Sequence, residues 1–547
     1  MTKGLKQKYI SSAFLLLLST VVIKVISAVY KIPLTNYIGA TGRGYFSVAY
    51  NLYMPIHAIT MGAFPIALTK LVSTYNAKGE SNKILALKRA SRKLFFLVGF
   101  VGLVIMLAAA KPYTSIVSSP NSIYTIIALA PCVFFSCLGA SRRAYAEGFL
   151  DMKPTAVSQT VEALFKMVFG LLFARMSMNY FYNIYIQTGC VFNKVVSNEQ
   201  EALLFIYPIT SAFAMLGGTL GDFISYVFLV IYDKINYTGV CKDIVQVKQA
   251  YTKLIGFSCA LVGATAIQSF SGFIDNSSIQ YFLSLCNADV LGKQYAVSSQ
   301  EVLSYVFGIY AVDLDFKNLI PSFVMALGIT AVPAVSASYE GGQGDFSSLL
   351  TSIFKYTAIL SVLGGVLMAL FPSELLGVLY GKNNPDIVTN ARELLFWFGV
   401  TALPCSFAST TVFCSQSLGF AKESIPSFIV SALARVGVNY LLITNNDINI
   451  IGTAFSNFIG FLIIMAWNMC IICKKTNAKI DLVKVLVKPV CCGVFTYFAV
   501  NFVKQNVFPF NNSIVFLVIN VSFCLLLFIT LQFLTKSITL SELKRLK

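Results

Sequence analysis

Charge is what this 547-residue sequence has least of: 12% of its residues are Asp, Glu, Lys or Arg, while 57% are hydrophobic. A soluble domain carries ~25% charged residues, so too little polar surface is available to cover a globule of this length in water. That excludes a soluble enzyme and points to an all-α polytopic membrane protein. Acidic residues are the scarcer half, with 23 Asp and Glu against 41 Lys and Arg and a formal net charge of +18.

Histidine is almost missing, His57 being the only one, so no His-rich metal or redox centre is encoded. Of 13 cysteines, most sit in apolar runs (Cys132, Cys137, Cys259, Cys405, Cys524) and read as small hydrophobes. Cys470 and Cys473 form a CxxC that no second pair completes, so no metal site is expected. No Walker A motif occurs, and with it ATP hydrolysis is excluded. No loop is long enough for a soluble catalytic domain, so the chain does not read as an enzyme and no cofactor is expected.

What is present is a series of apolar runs long enough to span ~30 Å of hydrocarbon. Fourteen are expected, at roughly 10–33, 45–73, 92–112, 122–148, 155–178, 203–231, 251–275, 302–338, 349–371, 391–418, 425–443, 448–473, 483–505 and 511–534. The first contains Lys24 and lacks a clear cleavage site, so it reads as an uncleaved helix. The second and eighth are interrupted at Pro55 and Pro65 and at Pro321 and Pro333, positions suited to hinges beside a cavity. With both termini in the cytoplasm, 25 Lys and Arg fall in inner segments and 8 in outer ones, as the positive-inside rule asks. That distribution accounts for the net charge without nucleic acid. The two long outer connections, 179–202 and 276–301, read as solvated linkers.

The two halves echo each other. Pro131-Cys132, Gly148-Phe149 and Pro154 return as Pro404-Cys405, Gly419-Phe420 and Pro426, all offset by 271–273 residues, and Pro65 returns as Pro333 at an offset of 268. The unit covers six helices, an even number, so both copies keep one orientation. The expected domains are a six-helix lobe over 1–235, a second over 250–475, and two further helices with a basic cytoplasmic tail over 480–547. Two such lobes facing each other would enclose the central cavity of an alternating-access transporter.

Ionisable residues inside spans are costly and default to functional roles. Six are basic: Lys24 and Lys31, which share a face of the first helix, Arg142 and Arg143 in the fourth, Lys166 in the fifth and Arg435 in the eleventh. No acidic residue lies three or four positions from Lys24 or Arg435 in the sequence. Arg143 and Glu147, and Glu162 and Lys166, are also spaced as i,i+4 pairs that would cancel locally. The basic surplus suits an anionic substrate held by its phosphate oxygens. Glu162, Asp222, Asp275 and His57 are the coupling or gating candidates. Asp313 and Asp315 form a DxD ahead of the broken eighth helix, read as a gating or structural contact in preference to a metal site.

The segment 141–166, SRRAYAEGFLDMKPTAVSQTVEALFK, resembles the signature of the stage V sporulation protein B group, with Arg143, Tyr145, Gly148, Met152, Pro154, Thr155, Ala156, Ser158, Gln159 and Glu162 filling its pattern. Residues 30–50, 62–80 and 273–275 resemble that group too. Its members are similar to the MurJ-like lipid II flippases of the multidrug/oligosaccharidyl-lipid/polysaccharide exporter superfamily. The resemblance implies two six-helix lobes plus two terminal helices forming a groove for a lipid tail. It implies movement of an undecaprenyl-pyrophosphate-linked oligosaccharide, with lipid II foremost, to the outer leaflet of a bacterial cytoplasmic membrane. Coupling to Na+, H+ or the membrane potential would drive it, and membrane lipids and cell-wall synthesis proteins would be the partners. Lys31 and Arg143 stand where the group has basic residues. Departures from its patterns include Thr41 where an acid is usual, Ala144 for Gly and Glu147 for Gln. The competing classes are a cation-coupled multidrug exporter of the same superfamily, a membrane-embedded glycosyltransferase or polymerase, and a scaffold without transport.

Overall fold

A computed structural model describes residues 3–237, 239, 244–340, 346–506 and 514–537. Sixteen α-helices account for nearly all of them: α1 (Lys3–Ala58), α2 (Phe64–Ala77), α3 (Ser81–Ile116), α4 (Ile123–Glu147), α5 (Lys153–Thr188), α6 (Glu199–Asn236), α7 (Ile244–Leu283) and α8 (Ala288–Tyr295) in the first part, then α9 (Val302–Glu340), α10 (Phe346–Leu370), α11 (Pro372–Tyr380), α12 (Pro385–Ser417), α13 (Ala421–Ile443), α14 (Gly452–Thr476), α15 (Lys488–Asn506) and α16 (Ile514–Leu534). Eleven helical stretches among the described residues are long and apolar enough to cross a membrane. The first joins two expected spans, because α1 runs through a kink at Gly39 (φ 62°, ψ −176°), which only glycine adopts without strain. α7 and α9 run over the expected seventh and eighth spans.

Side chains sort as a lipid solvent requires. Phe96, Leu97, Phe100, Val101, Val104 and Ile105 on α3 are exposed, a continuous apolar face of the kind that meets hydrocarbon. Inside, helices approach closely through small residues. A Cβ at Gly217 of α6 would run into the amide nitrogen of Gly170 on α5, and Gly365 of α10 and Gly399 of α12 face each other's carbonyl oxygens in the same way.

The chain divides into two compact units, 1–281 with 297–308, and 282–296 with 309–547. In unit 1, α5 packs most extensively on α6, α4 on α6 and α3, and α1 on α5. The ends of α3 and α6 are tied by Lys88, whose Nζ lies 2.8 Å from Asp233 while its charge sits over the rings of Tyr145 and Tyr237. In unit 2, α12 packs on α14 and α10, and α13 on α14. α4 and α12 each carry an internal proline, Pro131 and Pro404, and most of α7, which the sequence assigned to the second lobe, clusters with the first unit.

The connections expected to be solvated linkers are built structures instead. α5 continues to Thr188, a hairpin pairs Cys190–Val191 with Lys194–Val195, and Asn198 caps α6 by accepting from the Glu201 amide at 2.8 Å. Val191, Val196, Ala202 and Ile206 form a small core there with Tyr182 and Tyr185. In unit 2, α8 is capped by Asn287 and anchored by Tyr295, which donates to Asn449 at 2.6 Å.

Candidate functional site

Between α1 and α2 the backbone widens into one π-turn, Ile59–Ala63. Such turns arise where a residue is inserted into the i→i−4 ladder and often mark functional positions. Pro55 precedes it in the interior of α1, and Pro65 follows it at the start of α2. The turn aims the end of α1 at α4, α5 and α6, where most of the ionisable residues expected in unit 1 are found.

Arg143 on α4 is buried, with 5% of its surface exposed. Its Nε donates to the Ser158 hydroxyl, and its Nη2 to Ser225 and to Glu162 Oε2, each at 2.8 Å. The local alternative is therefore not taken: Glu147 accepts from the Thr155 hydroxyl at 2.7 Å. Glu162 does not pair with Lys166 either. The Lys166 ammonium donates to the Tyr50 hydroxyl and lies 4.9 Å from that ring's centroid. Tyr50 is edge-on to Tyr53, and Tyr53 packs against His57 at a tilt of 34° with centroids 4.9 Å apart. Asp222 on α6 is buried and accepts from the Cys132 thiol, whose sulfur is 3.5 Å from the Tyr53 hydroxyl. His57 and Asp222 both feel the charges of Glu162, Arg143 and Lys166.

One polar chain thus runs through the interior of unit 1, from His57 and Tyr53 to Cys132 and Asp222, and by Tyr50 to Lys166. The Arg143–Glu162 pair lies close enough for its charges to act on His57 and Asp222, as Lys166 does, so two cations and two carboxylates share this region. Arg142 stands apart from it, donating to the Leu138 carbonyl at 3.1 Å with its guanidinium 4.6 Å from the Tyr226 centroid. Lys24 is exposed and Lys31 half-buried on α1. Asp275 is buried near the end of α7.

Unit 2 holds a second group. The Arg435 guanidinium lies 4.2 Å from the Phe461 centroid, and Lys317 lies 5.2 Å from the same ring while donating to Asn457 at 2.9 Å. Asp313 of the DxD is fully buried, and neither of its carboxylate oxygens has a hydrogen-bond partner. Pro321 is buried within α9, and the side chain of Pro333 lies outside those described. Among the described residues, no group of three or more His, Cys, Asp or Glu is placed to hold a metal ion.

Sequence reasoning missed the neutral members, Tyr50, Tyr53, Ser158 and Ser225, and took Cys132 for a hydrophobe. The Tyr and Ser residues carry no charge to single them out in an apolar run. It also missed a cleft of about 480 Å³ beside Arg143, lined by Lys70 and Ser73 of α2 and Gln159 of α5.

Residues 10–197 match the family model described as polysaccharide biosynthesis protein. The chain is 21% identical over 474 residues to stage V sporulation protein B of Bacillus subtilis (strain 168), covering 84% of this chain and 82% of that one. It is 22% identical over 462 residues to lipid II flippase MurJ of the same organism, covering 80% and 78%. Among solved structures, lipid II flippase MurJ in an inward closed conformation superimposes with a TM-score of 0.66 at 11% identity, over 94% of this chain and 97% of that one. An inward-facing multidrug resistance MATE family transporter of the MOP superfamily gives 0.60 at 14% identity, over 83% and 100%. The likeness to these solved structures shows a shared polytopic helical fold.

Proposed function

We propose that this chain is a flippase that carries an undecaprenyl-pyrophosphate-linked oligosaccharide, lipid II foremost, from the inner to the outer leaflet by alternating access. The observation that carries the reading is the group of ionisable and hydroxyl side chains in unit 1, with Arg143 and Asp222 buried and Glu162, Lys166 and His57 half-buried, set in helices otherwise built for lipid. A structural role alone gives no reason to bury charge where apolar residues would pack as well. The similarity to a lipid II flippase along four fifths of the chain supports the substrate class.

The barrier in such transport is a charged, sugar-bearing headgroup crossing hydrocarbon, and polar side chains lower it by replacing water. Lys24, Lys31, Arg142, Arg143, Lys166 and Arg435 are the basic residues assigned to the substrate path. Glu162, Asp222, Asp275 and His57 are assigned to ion coupling, with Na+, H+ or the membrane potential as the drive. Protonation of one carboxylate in a balanced set of two cations and two carboxylates leaves a net positive charge, which ties proton binding to anion binding. Pro55, Pro65, Pro321 and Pro333 are the hinges. The protein acts in a bacterial cytoplasmic membrane with both termini inside.

The test is lipid II exposure in cells depleted of other flippases, read by an added enzyme that cleaves outward-facing lipid II. Cleavage dependent on this protein, and lost in an Arg143→Ala variant that still reaches the membrane, supports the reading. Cleavage that persists without the protein overturns it. The balance of Arg143 and Lys166 against Glu162 and Asp222, and the fold shared with a multidrug transporter, favour a second reading, a cation-coupled small-molecule exporter, for which dye efflux from the same cells is the readout.

A further inference from the structure

Both cations of the interior network of unit 1 already have partners. Arg143 is engaged by Ser158, Ser225 and Glu162, and Lys166 by Tyr50. The cleft of about 480 Å³ between α2, α4 and α5 supplies a further cation, and its size falls within the ~300–1,000 Å³ of small-ligand sites. Lys70 lines it, exposed, with its ammonium 4.9 Å from the Phe257 centroid and no carboxylate partner among the described residues. Ser73, one turn along α2, and Gln159 on α5 bring a hydroxyl and an amide, neither engaged in a side-chain hydrogen bond among the described residues. Glu147 contributes a carboxylate already holding Thr155, and Met61, Ile66 and Ala140 form an apolar wall.

A cation with no carboxylate partner, next to the engaged Arg143 and beside a free hydroxyl, a free amide and an apolar wall, is the chemistry that receives a phosphorylated sugar. The ammonium takes phosphate oxygens, the other groups take sugar hydroxyls, and the wall takes the apolar ring face. Lys70 lies seven residues from the end of α2, ~10 Å along the axis, and the basic segment 78–93 follows. That is headgroup depth on the side where the proposed substrate is loaded.

We infer that the α2–α4–α5 cleft is a binding site for a phosphosugar, with Lys70 as its phosphate ligand and Arg143 as a positioning residue that fixes α4 against α5. The assignment rests on the flippase reading for the identity of the sugar phosphate. A prenyl-diphosphate-linked sugar and a free sugar 1-phosphate share this chemistry.

The test uses the full-length protein in lipid nanodiscs, with binding measured for three probes: a short-chain prenyl-diphosphate-linked N-acetylglucosamine, free N-acetylglucosamine 1-phosphate, and the prenyl alcohol. Lys70→Gln is expected to weaken phosphosugar binding at least about tenfold, the loss of one charge-assisted contact, and to flatten its salt dependence, while Lys70→Arg restores both. Arg143→Gln is expected to weaken binding without changing the salt slope. Binding of the lipid-linked probe alone assigns the site to a lipid headgroup, and equal Lys70-dependent binding of the free phosphate assigns it to soluble phosphosugars. If the wild type binds the lipid-linked probe and Lys70→Gln binds it equally well, the site is wrong and the flippase reading stands. If the wild type binds neither phosphosugar, or binds the prenyl alcohol as well as the lipid-linked probe, the flippase reading itself fails. If Arg143→Gln flattens the salt slope as Lys70→Gln does, Arg143 is a phosphate ligand and its positioning role is overturned.

Discussion

Arg143 donates from Nη2 to Glu162 Oε2 at 2.8 Å, across the α4–α5 interface, in preference to Glu147 one turn along its own helix. The guanidinium is buried, whereas about a third of the Glu162 side chain reaches the surface. Removing the two partners should therefore have unequal effects. Glu162→Ala leaves a buried cation with only Ser158 and Ser225, at a cost of about 1–3 kcal/mol. Arg143→Ala leaves a carboxylate that water can reach, but it also opens a cavity. A double-mutant cycle by denaturation in detergent should give a coupling of about 1–2 kcal/mol, and a coupling near zero would mean the pair does not hold α4 to α5.

Close helix approach gives a sharper stability test. Gly217→Ala on α6 would place a methyl group against the backbone of Gly170 on α5, where no rotamer relieves it. A marked fall in thermal midpoint, or failure to purify as a single species, is expected. Gly256→Ala on α7 meets nothing within 4 Å, and should be neutral or slightly stabilising, since alanine favours helix by ~1 kcal/mol over glycine. Equal midpoints for the two variants would show that α5 and α6 can separate without loss.

Stability should also depend on pH through Glu301, which lies just before α9. It is buried, its Oε1 finds no hydrogen-bond donor, and burial raises its carboxyl from 4.5 to about 8. A raised carboxyl favours the folded state while it is protonated. The contribution is full below pH 4.5, declines as pH rises, and is lost above about 8, at about 1.4 kcal/mol per unit of difference. Thermal midpoints measured from pH 5 to 9 should fall in the wild type and stay flatter in Glu301→Gln. Identical slopes would remove Glu301 as the cause.

The polytopic helical character was legible in the sequence because apolar run length is a pattern a single chain displays, although eleven stretches among the described residues qualify as spans where fourteen were expected. Much of the site was not. Arg143, Glu162, Lys166, His57 and Asp222 stand out as charges in apolar runs, but their partners are set by packing between helices. The i,i+4 spacing that pointed to Glu147 was overruled by a closer carboxylate on α5. Tyr50 and Ser225 are ordinary residues in membrane helices until the fold brings them to Lys166 and Arg143. Lys70, inside the second apolar run, was not singled out at all. The connection 179–202 looked like a linker because its Tyr, Asn and Ser content is polar, yet its Val and Tyr residues close a small core.

The repeat makes a last prediction possible, because its two copies have diverged in charge. At the offset of 272, Arg143 of α4 corresponds to Ser415 of α12. There the partners are neutral: the Ser424 hydroxyl lies 3.0 Å from that of Ser415 and also donates to Asn468 Oδ1, while the Asn468 amide donates to Ser427 at 3.3 Å. All four are buried. This cluster closes α12, α13 and α14 together with hydrogen bonds but offers no charge to a substrate or a coupling ion. Asn468→Ala should therefore lower stability by about 1–3 kcal/mol, the cost of stranding buried hydroxyls, and leave lipid II exposure per folded molecule close to wild type. Arg143→Ala should reduce exposure at least about tenfold at matched membrane abundance. Normalising exposure to folded protein separates the two effects. If Asn468→Ala abolishes exposure while the protein remains folded, the neutral cluster takes part in transport and its purely structural role is wrong.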